Sequence, residues 1–302
     1  MNATLAKFEA DLRLRRLSPI TVSIYVSCCR CLLKGFDGRV AEVTRADIEA
    51  YLHGMLRSGR HGPAAQRQHT SAIRALFRYS LDRPEVVAWL PMAKMAKPLP
   101  KTVSPEQIEA ALRRSDSQRV RALIMLSYGA GLRASEACNL QVRDIRSADG
   151  VIHVRAGKGN KNRLVMLSPR LLEQLRRYWP ERQRRHPHAD VGRPREQAWL
   201  FPGGGRGGKP LSRAWASKLW HRAQRAAGMK DTVGLHSLRH AFATGLLDSG
   251  SDLRTVQVLL GHARMATTLR YLRLQARHIG SVVSPLDHFA PPPPPAPAPA
   301  AK

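Results

Sequence analysis

The sequence predicts a mainly α protein with a small β-sheet (α+β), built as two domains. Three observations carry this. Capped segments with apolar residues at helical spacing recur along most of the chain. One pair of alternating segments, 151–155 and 164–167, flanks a turn of Gly, Lys and Asn. Residues 91–105 (PMAKMAKPLPKTVSP) hold four prolines and three lysines, an extended basic joint. The expected division is a helical domain over 1–95, a linker over 96–103, a second domain over 104–285, and a disordered Pro/Ala-rich tail over 286–302.

In the first domain, Ser18-Pro19 opens a helix, serine as the cap and proline in the first turn. Ile20, Ile24 and Cys28 recur at helical spacing, as do Val22, Tyr25 and Cys29. Thr44 caps the next helix with Asp47 three residues on, and Ile48, Tyr51, Leu52 and Met55 form its stripe before Gly59. A third helix runs from Pro63 to Tyr79. Its inner side is Ile73, Leu76, Phe77 and Ser80, and Arg67, Arg74 and Arg78 mark another side. Singly these arginines read as a solvated face; as a set, with Lys97 and Lys101 of the linker, they are candidate phosphate contacts.

The second domain opens at Ser104-Pro105-Glu106-Gln107, a capping-box pattern. Helices follow over 106–113 and 119–128. Strands at 151–155 and 164–167 enclose the turn Gly157-Lys158-Gly159-Asn160-Lys161-Asn162. Further helices run over 169–178 and 212–227, and 181–210, rich in Arg, Pro and Gly, reads mostly as loop. A helix from about Asp252 to Leu260 ends at Gly261, a typical residue just past a helix end.

Composition narrows the function. The 302 residues carry 50 Lys+Arg against 22 Asp+Glu, a formal charge of +28, while 43% hydrophobic content suits a folded protein. So large an excess argues for a polyanionic partner, most simply nucleic acid, with a membrane surface as the lesser option. Both domains share it, +7 over 1–95 and +21 beyond. The N-terminus lacks the apolar region of a signal peptide, and no apolar run approaches a membrane span. Four cysteines in this length are no disulfide scaffold, and Cys28, Cys29, Cys31 and Cys138 have no zinc spacing. The expectation is reduced thiols, a cytoplasmic, nucleoid-associated protein, and no metal or other cofactor. GxxxxGK[ST], GxGxxG and HExxH motifs do not occur.

Four segments bear the chemistry: Gly129-Ala130-Gly131-Leu132-Arg133-Ala134-Ser135-Glu136; the turn holding Lys158; Leu235-His236-Ser237-Leu238-Arg239-His240-Ala241-Phe242-Ala243-Thr244; and Leu259-Leu260-Gly261-His262 with Thr267-Thr268-Leu269-Arg270-Tyr271 after it. His236 and Arg239, three apart, share a face in the opening turn of a helix, where backbone N–H groups favour an anion. Leu238, Phe242, Leu246 and Leu247 supply its buried stripe.

In this order the four segments resemble the tyrosine recombinases, the phage-integrase family, especially its Xer-like and transposon-associated members. The likeness covers about residues 10–275. It is strongest in HSLRHAFAT and LGHxxxxTTxxY, then in GLRxSE and GKGNKxR. The resemblance implies a helical core-binding domain and a catalytic domain, together a C-shaped clamp on double-stranded DNA, and a homo-tetramer on two DNA sites, alone or with a related recombinase. It implies that Arg133 is the first catalytic arginine and Glu136 its acidic support. Lys158, or less favourably Lys161, is the lysine of the turn. His236 and Arg239 are the His-x-x-Arg pair, His262 the His/Trp position and Tyr271 the nucleophile, forming a 3′-phosphotyrosyl link without ATP or metal.

Elementary chemistry agrees. Ionising a phenol of pKa near 10 at pH 7 costs roughly 4 kcal/mol, which a cluster of arginines or a neighbouring base offsets. Guanidinium suits phosphate because it binds two oxygens and stays charged. Ammonium can give a proton, which suits Lys158 to the departing 5′-oxygen. His236 is either the base or an orienting group, and His262 either donates to the phosphate or packs on Tyr271. Two departures from the family stand out. Arg273 stands where many members have His, and the chain after Leu274 is short, with Gln275–Ser281 as a brief helix at most. Residues 181–197 look longer than in compact members, as an extra DNA-contacting loop or an unstructured insertion. A DNA-binding architectural protein that kept the clamp without turnover is the alternative from another class.

Overall fold

The computed structural model describes residues 2–36, 40–59, 61–92, 102–155, 162–204 and 208–261. Lys97, Lys101, Lys158, Lys161, His262, Tyr271, most of the expected linker and the Pro/Ala tail lie outside the described residues. The chain divides into two compact units, Met1–Leu99 and Pro100–Lys302.

The first unit holds α1 (Asn2–Leu14), α2 (Pro19–Leu33), α3 (Arg45–Arg57) and α4 (Pro63–Tyr79). Each start after α1 has a local cause. Ser18 Oγ accepts from the Thr21 N–H at 3.2 Å with Pro19 behind it, Thr44 and Asp47 cap α3 reciprocally, and Pro63 follows Gly62 at the head of α4. Phe8, Leu12, Cys29, Leu33, Ile48, Ile73, Leu76 and Phe77 are fully buried and form the core. The inward stripe of α2 is Val22, Val26, Cys29 and Leu33, at steps of four, three and four. Ile20 is exposed, because two residues back from Val22 is about half a turn away. Of the expected basic face of α4, Arg67 and Arg78 are exposed, whereas Arg74 is half-buried and donates from Nη2 to the Leu90 carbonyl.

The second unit holds α5 (Pro105–Arg113), α6 (Gln118–Gly129), α7 (Ala134–Cys138), strands β1 (Ile145–Arg146), β2 (Val151–Val154) and β3 (Arg163–Met166), then α8 (Pro169–Arg185), α9 (Arg213–Ala226), α10 (His236–Asp248) and α11 (Leu253–Leu260). The strands form an antiparallel sheet in the order β1-β2-β3, with Ile152 opposite Val165 and Val154 opposite Arg163. Helix α6 is apolar on most sides (Val120, Ala122, Leu123, Ile124 and Leu126 are buried) and packs against α8, α9 and α10, so it is the centre of this core. Trp220, Tyr178, Phe201 and Leu238 fill the space around it.

The region expected to be loop after 181 is different. Helix α8 continues through Pro180 to Arg185. Arg182, wholly buried, forks onto Asp190 (Nη1–Oδ2 and Nη2–Oδ1, both 2.6 Å) and donates from Nε to the Trp199 carbonyl at 3.0 Å. These long-range bonds outweigh the hydrogen bond that Pro180 removes. They also order 186–199, so the long segment is structured along most of its length.

Candidate active site

The site grows from a tight turn. Gly131 has φ +63°, and a Cβ there would lie 2.4 Å from the Phe242 ring of α10. Only glycine meets both demands. The turn brings Arg133 to the start of α7, one turn before Glu136. The Arg133 backbone N–H donates to Glu136 Oε2 at 2.8 Å, and its Nη1 donates to Oε1 at 2.7 Å. The resemblance-derived pairing of Arg133 with Glu136 is thus present as a contact.

Glu136 has a second partner that the sequence reading left unassigned. Arg163, at the first position of β3, donates to Oε1 (2.8 Å) and Oε2 (2.7 Å) of Glu136 in a bidentate fork, and from Nε to the Leu259 carbonyl of α11 at 2.9 Å. A sequence signal existed. Arg163 shares a strand face with buried Val165, and an arginine on the inward face of an apolar strand calls for a buried carboxylate.

Arg239 completes the group. It stands in the first turn of α10, wholly buried, with Nη1 donating to the Gly131 carbonyl at 2.7 Å and Nη2 to the Leu260 carbonyl. Its Nη1 lies 3.5 Å from Glu136 Oε2. Three guanidinium groups therefore surround one carboxylate. Side-chain exposure sorts them: Arg133 keeps 20%, Arg163 9% and Arg239 none. Arg133 is the most open of the three to an incoming anion.

Electrostatics follow from this packing. Burial works to raise the Glu136 pKa, but the hydrogen bonds and charge of Arg163, with the Arg133 bonds, win and hold it at about 2. His236, one turn before Arg239, keeps an exposed edge. Loss of water on its packed side, then the charges of Arg239 and Arg133, lower its pKa against the weaker pull of Glu136. This favours the neutral ring.

In sequence, Lys158 lies between two positions that are anchored in the structure. At the end of β2, Arg155 donates from Nε to Asp144 Oδ1 at 2.6 Å and from Nη2 to Asp144 Oδ2 and Gln141 Oε1 at 2.9 and 2.8 Å. At the start of β3 stands Arg163. Helix α11 ends at Gly261 with φ +60°, and a Cβ there would meet Arg163 Cδ at 2.9 Å. Arg133, Glu136, His236 and Arg239 are thus assembled in one place; Arg163 joins the start of β3 to it, the Leu259 and Leu260 carbonyls join the end of α11, and Arg155 is held separately on Asp144 and Gln141. Arg67, Arg74 and Arg78 belong to the first unit. Among the described residues no group of three or more His, Cys, Asp or Glu could hold a metal ion, and no helix is long and apolar enough to cross a membrane. Cys28, Cys29, Cys31 and Cys138 are free thiols.

Comparison with known proteins gives a consistent result. Residues 101–278 match the phage integrase family, and residues 4–85 the phage integrase N-terminal SAM-like domain. Tyrosine recombinase XerD of Pseudomonas putida is 37% identical over 234 residues, 72% of this chain and 74% of its own. Tyrosine recombinase XerA of Pyrococcus horikoshii is 33% identical over 280 residues, 92% of each. Among solved structures, a lambda integrase tetramer bound to a Holliday junction shares the fold, with a TM-score of 0.68 at 21% identity over 90% of this chain and 77% of that one.

Proposed function

The chain belongs to the phage integrase family, and on that premise we infer that it is a site-specific DNA recombinase, cutting and rejoining duplex DNA by transesterification through Tyr271. The observation that carries this is the cluster of Arg133, Arg239 and Arg163 on Glu136, with His236 one turn before Arg239. Such a cluster has a net positive charge and one open guanidinium, which is what an anionic phosphodiester needs before a nucleophile can approach.

Neutral His236 accepts the phenolic proton of Tyr271, whose oxygen forms a bond to phosphorus. The bond from phosphorus to the 5′-oxygen breaks, and Lys158 gives that oxygen a proton. Arg133, with the charge of Arg239 beneath it, stabilises the five-coordinate transition state. A 5′-hydroxyl from a second strand reverses the sequence and restores a phosphodiester. One phosphoester replaces another, so the exchange consumes no ATP, and the cations it uses are side chains. Four copies on two duplexes are the working assembly, a reading supported by the lambda integrase of like fold, solved as a tetramer bound to a Holliday junction. A cytoplasmic location, at the nucleoid, goes with this reading.

The test is a pool of nicked duplexes, randomised around the nick, incubated with the whole chain. Adducts that survive denaturant are isolated, the DNA sequenced and the protein peptide-mapped. The expected result is a defined sequence joined through a 3′-phosphate to Tyr271, and no adduct from Tyr271→Phe. DNA retention without any adduct, equal for both proteins, would instead identify an architectural DNA-binding protein.

A further inference from the structure

We propose that Arg163 is a positioning residue that occupies Glu136 and so keeps the open part of the Arg133 guanidinium available to the phosphate. This rests on the reading of the site as a recombinase centre. A carboxylate offers about four acceptor positions. In Glu136 the Arg163 fork uses one on each oxygen, the Arg133 N–H takes a second on Oε2, and Arg133 Nη1 a second on Oε1. The carboxylate is saturated, and Arg239 Nη1 stays outside hydrogen-bond distance at 3.5 Å.

Removing Arg163 has two effects. One acceptor position opens on each oxygen of Glu136, which can then turn fully onto Arg133, making the bidentate pair that phosphate should make. The formal charge of the group, three guanidiniums and one carboxylate, also falls from +2 to +1. The transition state brings the phenolate charge to a phosphate already negative, so the lost charge weighs more there than in the ground state. Arg163 itself does not reach substrate. Its fork is spent on Glu136, its Nε on the Leu259 carbonyl, and its side chain is 9% exposed. Gly261 gives it room, since a Cβ there would press on Arg163 Cδ.

The experiment measures the rate of Tyr271 adduct formation on a duplex recovered from the pool above, in three forms. One is native, one carries a neutral methylphosphonate at the scissile position, and one has sulfur in place of the departing 5′-oxygen, a leaving group that needs no proton. R163M is expected to be about 100-fold slower than wild type on native DNA. On the methylphosphonate, where the second negative charge is absent, the gap shrinks to less than about tenfold, and on the sulfur substrate it stays full. Lys158→Ala is the control with the opposite pattern. In a Glu136→Gln background, R163M costs less than it does alone, because the competing carboxylate is gone. Should R163M fail to fold by thermal melt, R163K, which can take only one oxygen, shows the same pattern at a smaller factor.

Rescue by the sulfur substrate alone overturns the proposal and assigns Arg163 to the lysine turn. Rescue by neither substrate, or an R163M rate equal to wild type, also overturns it. A wild-type chain that forms no Tyr271 adduct sinks the recombinase reading and this proposal with it; a wild-type adduct with an indifferent R163M sinks only the proposal.

Discussion

Glu136→Gln removes the one negative charge beneath three guanidiniums, and its cost can be worked from the site. The Glu136 pKa falls from 4.5 to about 2, and its side chain is 5% exposed, so solvent screening takes little away. A shift of roughly 2.5 units at 1.36 kcal/mol each gives about 3 kcal/mol of stability at pH 7, near the low end for breaking a buried ion pair. The sign is fixed by linkage. The folded-state pKa is depressed, so this stability is complete above the unfolded value near 4.5 and is lost as pH falls through 2. The assay is urea unfolding followed by tryptophan fluorescence. Four of the five tryptophans, Trp179, Trp199, Trp215 and Trp220, lie in the second unit, so the signal reports mainly on it. At pH 7 the variant should unfold at about 1 to 2 M less urea. By pH 3 more than half of the gap should be gone. An equal gap at pH 7 and pH 3, or none at pH 7, would refute the assignment of Glu136 as an ionised buried hub.

Gly131→Ala puts a methyl group 2.4 Å from the Phe242 ring at φ +63° and shifts the carbonyl that Arg239 Nη1 uses; thermal melts should show a loss of about 2 kcal/mol or more, and adduct formation should fall further than the melt explains. The lowered His236 pKa predicts that the adduct-forming rate holds on acidification to below pH 6.5 before it declines, and that His236→Asn flattens this acid limb while lowering the plateau. Arg155→Met frees the end of β2 from Asp144 and Gln141; the rate on native DNA should fall about tenfold, and the sulfur leaving group should restore it, as a fault in placing Lys158 demands.

Local chemistry made much of this fold legible. Ser18 with Pro19, Thr44 with Asp47, Ser104 with Gln107, and Gly261 mark helix limits through contacts within a few residues, and the structure has those caps. The helix from Pro63 to Tyr79 has the predicted ends. Illegible features depend on partners far along the chain. Helix α8 outlasts Pro180 because Arg182 finds Asp190 and Trp199, which no helical periodicity encodes. Arg74 looks like surface in sequence and turns inward because Leu90 offers a carbonyl. In the site, motif order brought out Arg133, Glu136, His236 and Arg239. Arg163 stood in GKGNKxR without a role, because that role lies in a fork to a residue 27 positions away.

The end of α11 is held in an unusual currency. Arg163 and Arg239 grip it through the carbonyls of Leu259 and Leu260, not through side chains. Nearly every amino acid presents the same carbonyl, so the outward face of the helix is free to drift in sequence without disturbing the arginines. Changes that break the helical path there, empty the core positions Val256 and Leu260, or replace Gly261 would be felt. A designer building hybrids could therefore exchange the outward residues of α11 with those of a relative, provided the backbone arrives at the same point.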